Sequence, residues 1–106
     1  MLEQKEIDLN QLKQWQVAEK AFQLIDVRET SEHSDFNIGG QLIPFADVGR
    51  NLDLMARDRP VVLYCKRGIR SAIIIQRYAN RNPDIDFYNL KGGIQTAEGL
   101  AIRDNL

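Results

Sequence analysis

The segment from Val61 to Ile75 constrains this chain more than any other. It opens with Val61-Val62-Leu63-Tyr64, a β-branched and apolar run that predicts a buried strand. It passes into a second apolar run, Ala72 to Ala79, which predicts a buried helix. Between the two stand the only cysteine, Cys65, a glycine, Gly68, and three cations, Lys66, Arg67 and Arg70. A strand that carries a thiol to its C-terminal end and turns at once into a helix belongs in an open α/β sheet. Ligands of such sheets bind at the carboxyl ends of the strands.

The chemistry of that loop follows from its residue types. The thiolate, not the thiol, is the nucleophile. Successive backbone N–H groups in a tight loop form a concave nest for an anion. The N-terminus of the following helix adds positive partial charge. Lys66, Arg67 and Arg70 raise the local potential further. Gly68 permits a backbone conformation that side chains disfavour. Ser71 is expected to cap the helix that follows. All of this favours negative charge on Cys65 or on an atom bonded to it. A lone cysteine is ordinarily a small buried hydrophobe. A glycine and three cations within five residues weigh against that role here, because a core cysteine has no use for them.

The rest of the composition narrows the class. A chain of 106 residues suits one domain, 1–106, around a single core. A net charge of −1 argues against a general nucleic-acid binder. A single cysteine excludes an intrachain disulfide and any multi-cysteine metal site, and no metal or other cofactor is expected. Met1 to Glu6 contains no apolar signal segment, and no run is long enough to span a bilayer. A reducing, cytoplasmic setting without membrane contact is therefore expected.

Strands and helices alternate along the chain. Lys5-Glu6-Ile7 is a short edge-strand candidate. Asp8 and Gln11 predict a capping box, opening a helix to about Lys20 with Leu9, Leu12 and Trp15 on its core side. Phe22 to Asp26 reads as a strand. Thr30 to Phe36 reads as a short helix capped by Thr30 or Ser31, with His33 exposed and without a catalytic role. Gly39-Gly40 breaks the chain before a strand over Gln41 to Phe45. Ala46 to Ala56 reads as a helix, and Ser71 to Asn80 as the buried one. Asn82-Pro83-Asp84 is a turn, Asp86 to Leu90 the last strand, and Ile94 to Arg103 a final helix. The alternation predicts an α/β fold with helices on both faces of the sheet.

Cys65-Lys66-Arg67-Gly68-Ile69-Arg70-Ser71 resembles the active-site motif of the rhodanese family of sulfurtransferases. Leu24-Ile25-Asp26-Val27-Arg28-Glu29 is similar to that family's first signature, and Tyr88-Asn89-Leu90-Lys91-Gly92-Gly93-Ile94 to its last. The three lie in the family's order. The resemblance implies the rhodanese fold, a small, mostly parallel sheet with Cys65 at its rim. It implies Cys65 as nucleophile, the loop Lys66 to Ser71 as the anion cradle, and Asp26 and Arg28 as braces of that loop. Two departures stand out. The family usually has a histidine where Asn37 stands, and often a tryptophan after the double glycine, where this chain has Thr96-Ala97-Glu98.

The implied activity moves a sulfane sulfur from an anionic donor, thiosulfate or a persulfide, to a thiol or cyanide through a Cys65 persulfide. A sulfur-carrier protein is a candidate partner. Two alternatives share the residues. Cysteine-dependent phosphatases and arsenate reductases also place cysteine and arginine around an anion, but with a longer spacing than Lys66-Arg67-Gly68-Ile69. A sulfur-relay interaction module would not need the cysteine.

Overall fold

In the computed structural model, which describes residues 4–95 and 97, five strands form one sheet. They are β1 (Glu6–Ile7), β2 (Gln23–Asp26), β3 (Gln41–Leu42), β4 (Pro60–Tyr64) and β5 (Asp86–Leu90), in the spatial order β1-β5-β4-β2-β3. Every pairing is parallel. The Val61 to Tyr64 run is central, and all four of its side chains are buried, as a strand covered on both faces requires. The register sets Asp26 beside Tyr64 and Leu63 beside Asn89. The ends of β2, β4 and β5 therefore meet at one carboxyl edge, where Cys65 emerges.

Alternation along β4 divides the core. Val61 and Leu63 point to one face, with Ile25, Val48, Met55, Ile74, Ile75 and Phe87. Helix α3 (Ile69–Tyr78) and the 3₁₀ turns Phe45–Arg50 and Leu52–Leu54 cover that side. Val62 and Tyr64 point to the other face, with Leu12, Leu90 and Ile94, under α1 (Leu9–Val17). Trp15 lies on this side against Phe22 and edge-on to Tyr88. Helix α2 (Thr30–Asp35) follows β2.

Several local expectations need correction. α1 stops at Val17, not near Lys20, because Glu19 takes a left-handed backbone at φ 56°. Its start is as expected: Gln11 N–H donates to Asp8 Oδ1 and Asp8 N–H to Gln11 Oε1. The α2 cap is Glu29, not Thr30 or Ser31; Glu29 N–H donates to the Glu32 carboxylate. The strand expected over Gln41 to Phe45 is limited to Gln41 and Leu42, and Phe45 already begins a 3₁₀ turn. The helix expected from Ala46 to Ala56 is two 3₁₀ turns, separated at Asn51, whose φ of −125° interrupts any helix. Of the helix expected over Ile94 to Arg103, only its start lies among the described residues; the rest lies outside them.

Candidate functional site

Helix α3 begins two residues earlier than its sequence suggests. Gly68, at φ 86°, is its cap, and Ser71 is a fully buried residue of its first turn rather than the cap. The tight turn swings the backbone round the cysteine. Cys65 is 1% exposed, and Gly68 N–H donates to its Sγ at 3.1 Å. Ser71 Oγ lies 3.4 Å from the same sulfur. Burial pushes the Cys65 thiol up, but the hydrogen bonds that its thiolate would receive from the Ser71 hydroxyl and from the N–H groups of Ser71, Arg67 and Gly68 outweigh it. The net direction is down. The rate of iodoacetamide alkylation against pH should therefore inflect below the roughly 8.5 of free cysteine. An inflection at or above that value would return Cys65 to the role of a core residue.

The loop is clamped from behind by the turn after β5. Ile94 N–H donates to the Cys65 carbonyl and Gln95 N–H to that of Lys66, both at 3.1 Å. This contact is why a double glycine follows β5: Gly93, at φ 67°, lies against the Cys65 and Lys66 carbonyls with no room for a side chain.

The cations divide. Lys66 and Arg67 are exposed, as is Ile69. Arg70 does not stand free beside the sulfur as its sequence position suggests. It forms a two-point ion pair with Glu32 of α2, Nη1 to Oε1 at 2.8 Å and Nη2 to Oε2 at 2.9 Å. This partner, 38 residues away, offsets the charge expected of Arg70. The Arg70 hydrogen bonds hold the Glu32 carboxyl down to about 2.

Asp26 and Arg28 serve each other. Asp26 is fully buried and accepts from Arg28 N–H at 2.9 Å, Nε at 3.0 Å and Nη2 at 2.9 Å. Arg28 Nη2 also donates to the Phe36 carbonyl. Among the described residues none of their hydrogen bonds reaches Cys65 to Ser71. They brace the chain after α2. His33 is not a bystander either: its Nδ1 lies 2.8 Å from Asp26 Oδ2, and it is 26% exposed. Asn37, where a histidine was expected, holds its segment with two bonds, Nδ2 to the His33 carbonyl and Oδ1 from Gly39 N–H, each 2.9 Å.

Burial pushes the Asp26 carboxyl up, and the hydrogen bonds from Arg28 and His33 more than reverse this. Asp26 and Glu32 both titrate lower in the fold than in the unfolded chain. Their stabilisation is complete above the unfolded value, roughly 4 for carboxylates, and is lost as pH falls through the folded values. Denaturant midpoints should stay level from pH 7 to 5 and fall steeply below about pH 4. Arg70→Met should reduce that fall by removing the Glu32 share; an unchanged acid limb would contradict the pairing.

Two site residues escaped the sequence reading. Glu32 is one. Asn89 is the other: its Nδ2 donates to the Gly68 carbonyl at 3.1 Å, and Ser71 Oγ lies 2.5 Å from its Oδ1. An asparagine between Tyr88 and Leu90 in a strand of the core was the available sign, since strands disfavour it without a specific partner.

The comparisons agree with this architecture. The chain is 38% identical over 74 residues to the uncharacterized protein YqhL of Bacillus subtilis, covering 69% of this chain and 58% of that one. It is 37% identical over 87 residues to the probable adenylyltransferase/sulfurtransferase MoeZ of Mycobacterium tuberculosis, covering 79% of this chain but 22% of that one. It thus spans less than two thirds of either relative. The crystal structure of a rhodanese-like domain protein from Staphylococcus aureus superposes with a TM-score of 0.74 at 27% identity, covering 85% of this chain and 87% of that one. The model of the rhodanese-like domain matches residues 8–98, so the chain belongs to the rhodanese-like domain family.

Proposed function

We propose that this chain is a rhodanese-type sulfurtransferase with Cys65 as its nucleophile. The observation that carries the reading is the Gly68 N–H aimed at Cys65 Sγ at 3.1 Å within a loop whose hydrogen bonds lower the thiol. The Cys65 thiolate attacks the outer sulfur of an anionic donor such as thiosulfate. A new S–S bond forms to Cys65, the donor's S–S bond breaks, and sulfite leaves with its electron pair. Cyanide or a thiolate then attacks the outer sulfur of the persulfide, and Cys65 leaves as the thiolate. No general base is needed when the thiol is already ionised. The loop amides stabilise the terminal sulfur anion electrostatically. Exposed Lys66 and Arg67 draw in an anionic donor or the acidic surface of a sulfur-carrier protein. A reducing, cytoplasmic compartment belongs to this reading because it keeps Cys65 free.

The loop's size separates sulfur transfer from phosphate chemistry. Only Lys66, Arg67, Gly68 and Ile69 stand between Cys65 and Arg70, and Arg70 is already engaged by Glu32. A ring this small suits one sulfur atom better than three phosphoryl oxygens. With thiosulfate and cyanide the protein should release thiocyanate, while hydrolysing aryl phosphates negligibly. Inserting one glycine after Gly68 moves its N–H away from the sulfur. Each lost charge-assisted bond costs roughly 1.5–3 kcal/mol, so sulfur transfer should fall at least about tenfold. Robust phosphatase activity without thiocyanate release would favour the phosphatase reading instead.

A further inference from the structure

The Ser71 hydroxyl has one proton and two neighbours that want it. The Gly68 carbonyl can only accept, so the Asn89 side chain must present its NH₂ to it, at 3.1 Å. This fixes the amide's orientation and leaves Oδ1 facing Ser71 Oγ at 2.5 Å. Oδ1 can only accept as well, so Ser71 must donate to Asn89. The hydroxyl's remaining capacity toward Cys65 Sγ, at 3.4 Å, is then that of an acceptor. This arrangement suits a Cys65 thiol, which donates S–H to Ser71. A thiolate needs the opposite: Ser71 must turn its proton to the sulfur and release Asn89. Ser71 is fully buried and Asn89 is 4% exposed, so bulk water does not freely replace the lost bond.

We propose that Asn89 is a positioning residue that competes with Cys65 for the Ser71 proton, so that forming the thiolate is coupled to moving that hydrogen bond from Asn89 to Cys65. The same side chain holds the Gly68 carbonyl and so aims the Gly68 N–H at the sulfur. Asn89 thus orders the loop while restraining its ionisation. The charged group coupled to Cys65 is Arg70, which Glu32 engages; Lys66 and Arg67 extend outward, and Asp26 and Arg28 bond each other. None of these can take the Ser71 proton's place. The inference rests on Cys65 as the reactive thiol, but its test needs no sulfur transfer.

The test is a double-mutant cycle read by the pH dependence of Cys65 alkylation. Asn89→Leu keeps the branched side-chain shape and removes the competing acceptor. The lost Gly68 contact loosens the loop in either background, so the cycle reads the difference between them. The inflection shift caused by Asn89→Leu should lie lower by half a pH unit or more, about threefold in thiolate fraction, with Ser71 present than in Ser71→Ala. A purely structural Asn89 would give the same shift in both backgrounds. Equal shifts, or a shift that lies higher with Ser71 present, overturn the proposal. A second measurement uses the parent protein and needs no Asn89 variant to fold. The Asn89 side-chain carbonyl carbon resonance should titrate with Cys65, and that titration should fall by more than half in Ser71→Ala; an equal titration in both also overturns it. Should thiosulfate leave the protein unchanged while the cycle behaves as stated, the sulfurtransferase reading fails and this inference stands.

Discussion

Gly93→Ala should cost this protein both stability and reactivity, while Gly92→Ala beside it should be tolerated far better. Both glycines sit at positive φ, 77° for Gly92 and 67° for Gly93, so each alanine carries a left-handed penalty of about 1–2 kcal/mol. Their surroundings differ. A Cβ on Gly92 meets nothing within 4 Å. A Cβ on Gly93 falls 2.5 Å from the Cys65 carbonyl oxygen and closer still to that of Lys66. These are backbone atoms of the loop itself, so relief requires the loop to move. The bonds from Ile94 to Cys65 and from Gln95 to Lys66 are the first to break. With overpacking at about 1–3 kcal/mol, the total is roughly 2–5 kcal/mol, a fall in Tm on the order of 10–20 °C. Thiocyanate release should drop about a hundredfold through the displaced loop. Equal losses at the two positions would mean that backbone strain alone, not the close approach, governs this turn.

Removing Arg28 should be comparably severe for stability. Asp26 is fully buried, and Arg28 supplies three of its hydrogen bonds. The backbone one survives Arg28→Met; the two guanidinium bonds do not. What remains is a buried carboxylate with His33 as its side-chain partner. Breaking a buried pair by removing one partner costs about 3–5 kcal/mol. The Phe36 carbonyl also loses its donor. Asp26→Asn with Arg28→Met should recover much of the loss, because the uncompensated charge disappears with the carboxylate. A chemical-denaturation series reads all three variants. An additive double variant would show that the two side chains act independently.

How much of this was legible depends on the range of the forces involved. The β4 run, the Asp8–Gln11 capping box and the tight Cys65 loop are encoded by adjacent residues, so they could be read directly. The α/β class followed from alternation and the mostly parallel sheet from the family resemblance, while the strand order followed from none of the local patterns. Ser71 illustrates the limit. Its residue type suggested a helix cap, yet its neighbour in the fold is Asn89, 18 residues on, and burial turned it into a link between strand and thiol. Arg70 was read as a free cation because its partner Glu32 lies on another helix. The resemblance implied that Asp26 and Arg28 brace the loop, but a carboxylate and a guanidinium two residues apart on a buried edge bond one another. The spacing of Val48, Leu52 and Met55 fits a helix as well as the 3₁₀ turns actually formed; Asn51, bonding the Asp47 carbonyl through Nδ2, decides between them.

The central claim is that Cys65 takes up a single sulfur and holds it. Intact-protein mass spectrometry after incubation with thiosulfate tests this most directly. The account predicts a gain of one sulfur atom, localised to the peptide that contains Cys65, removed by cyanide or a reductant, and absent in Cys65→Ser. An unchanged mass in the parent protein, or an equal gain in Cys65→Ser, would contradict it.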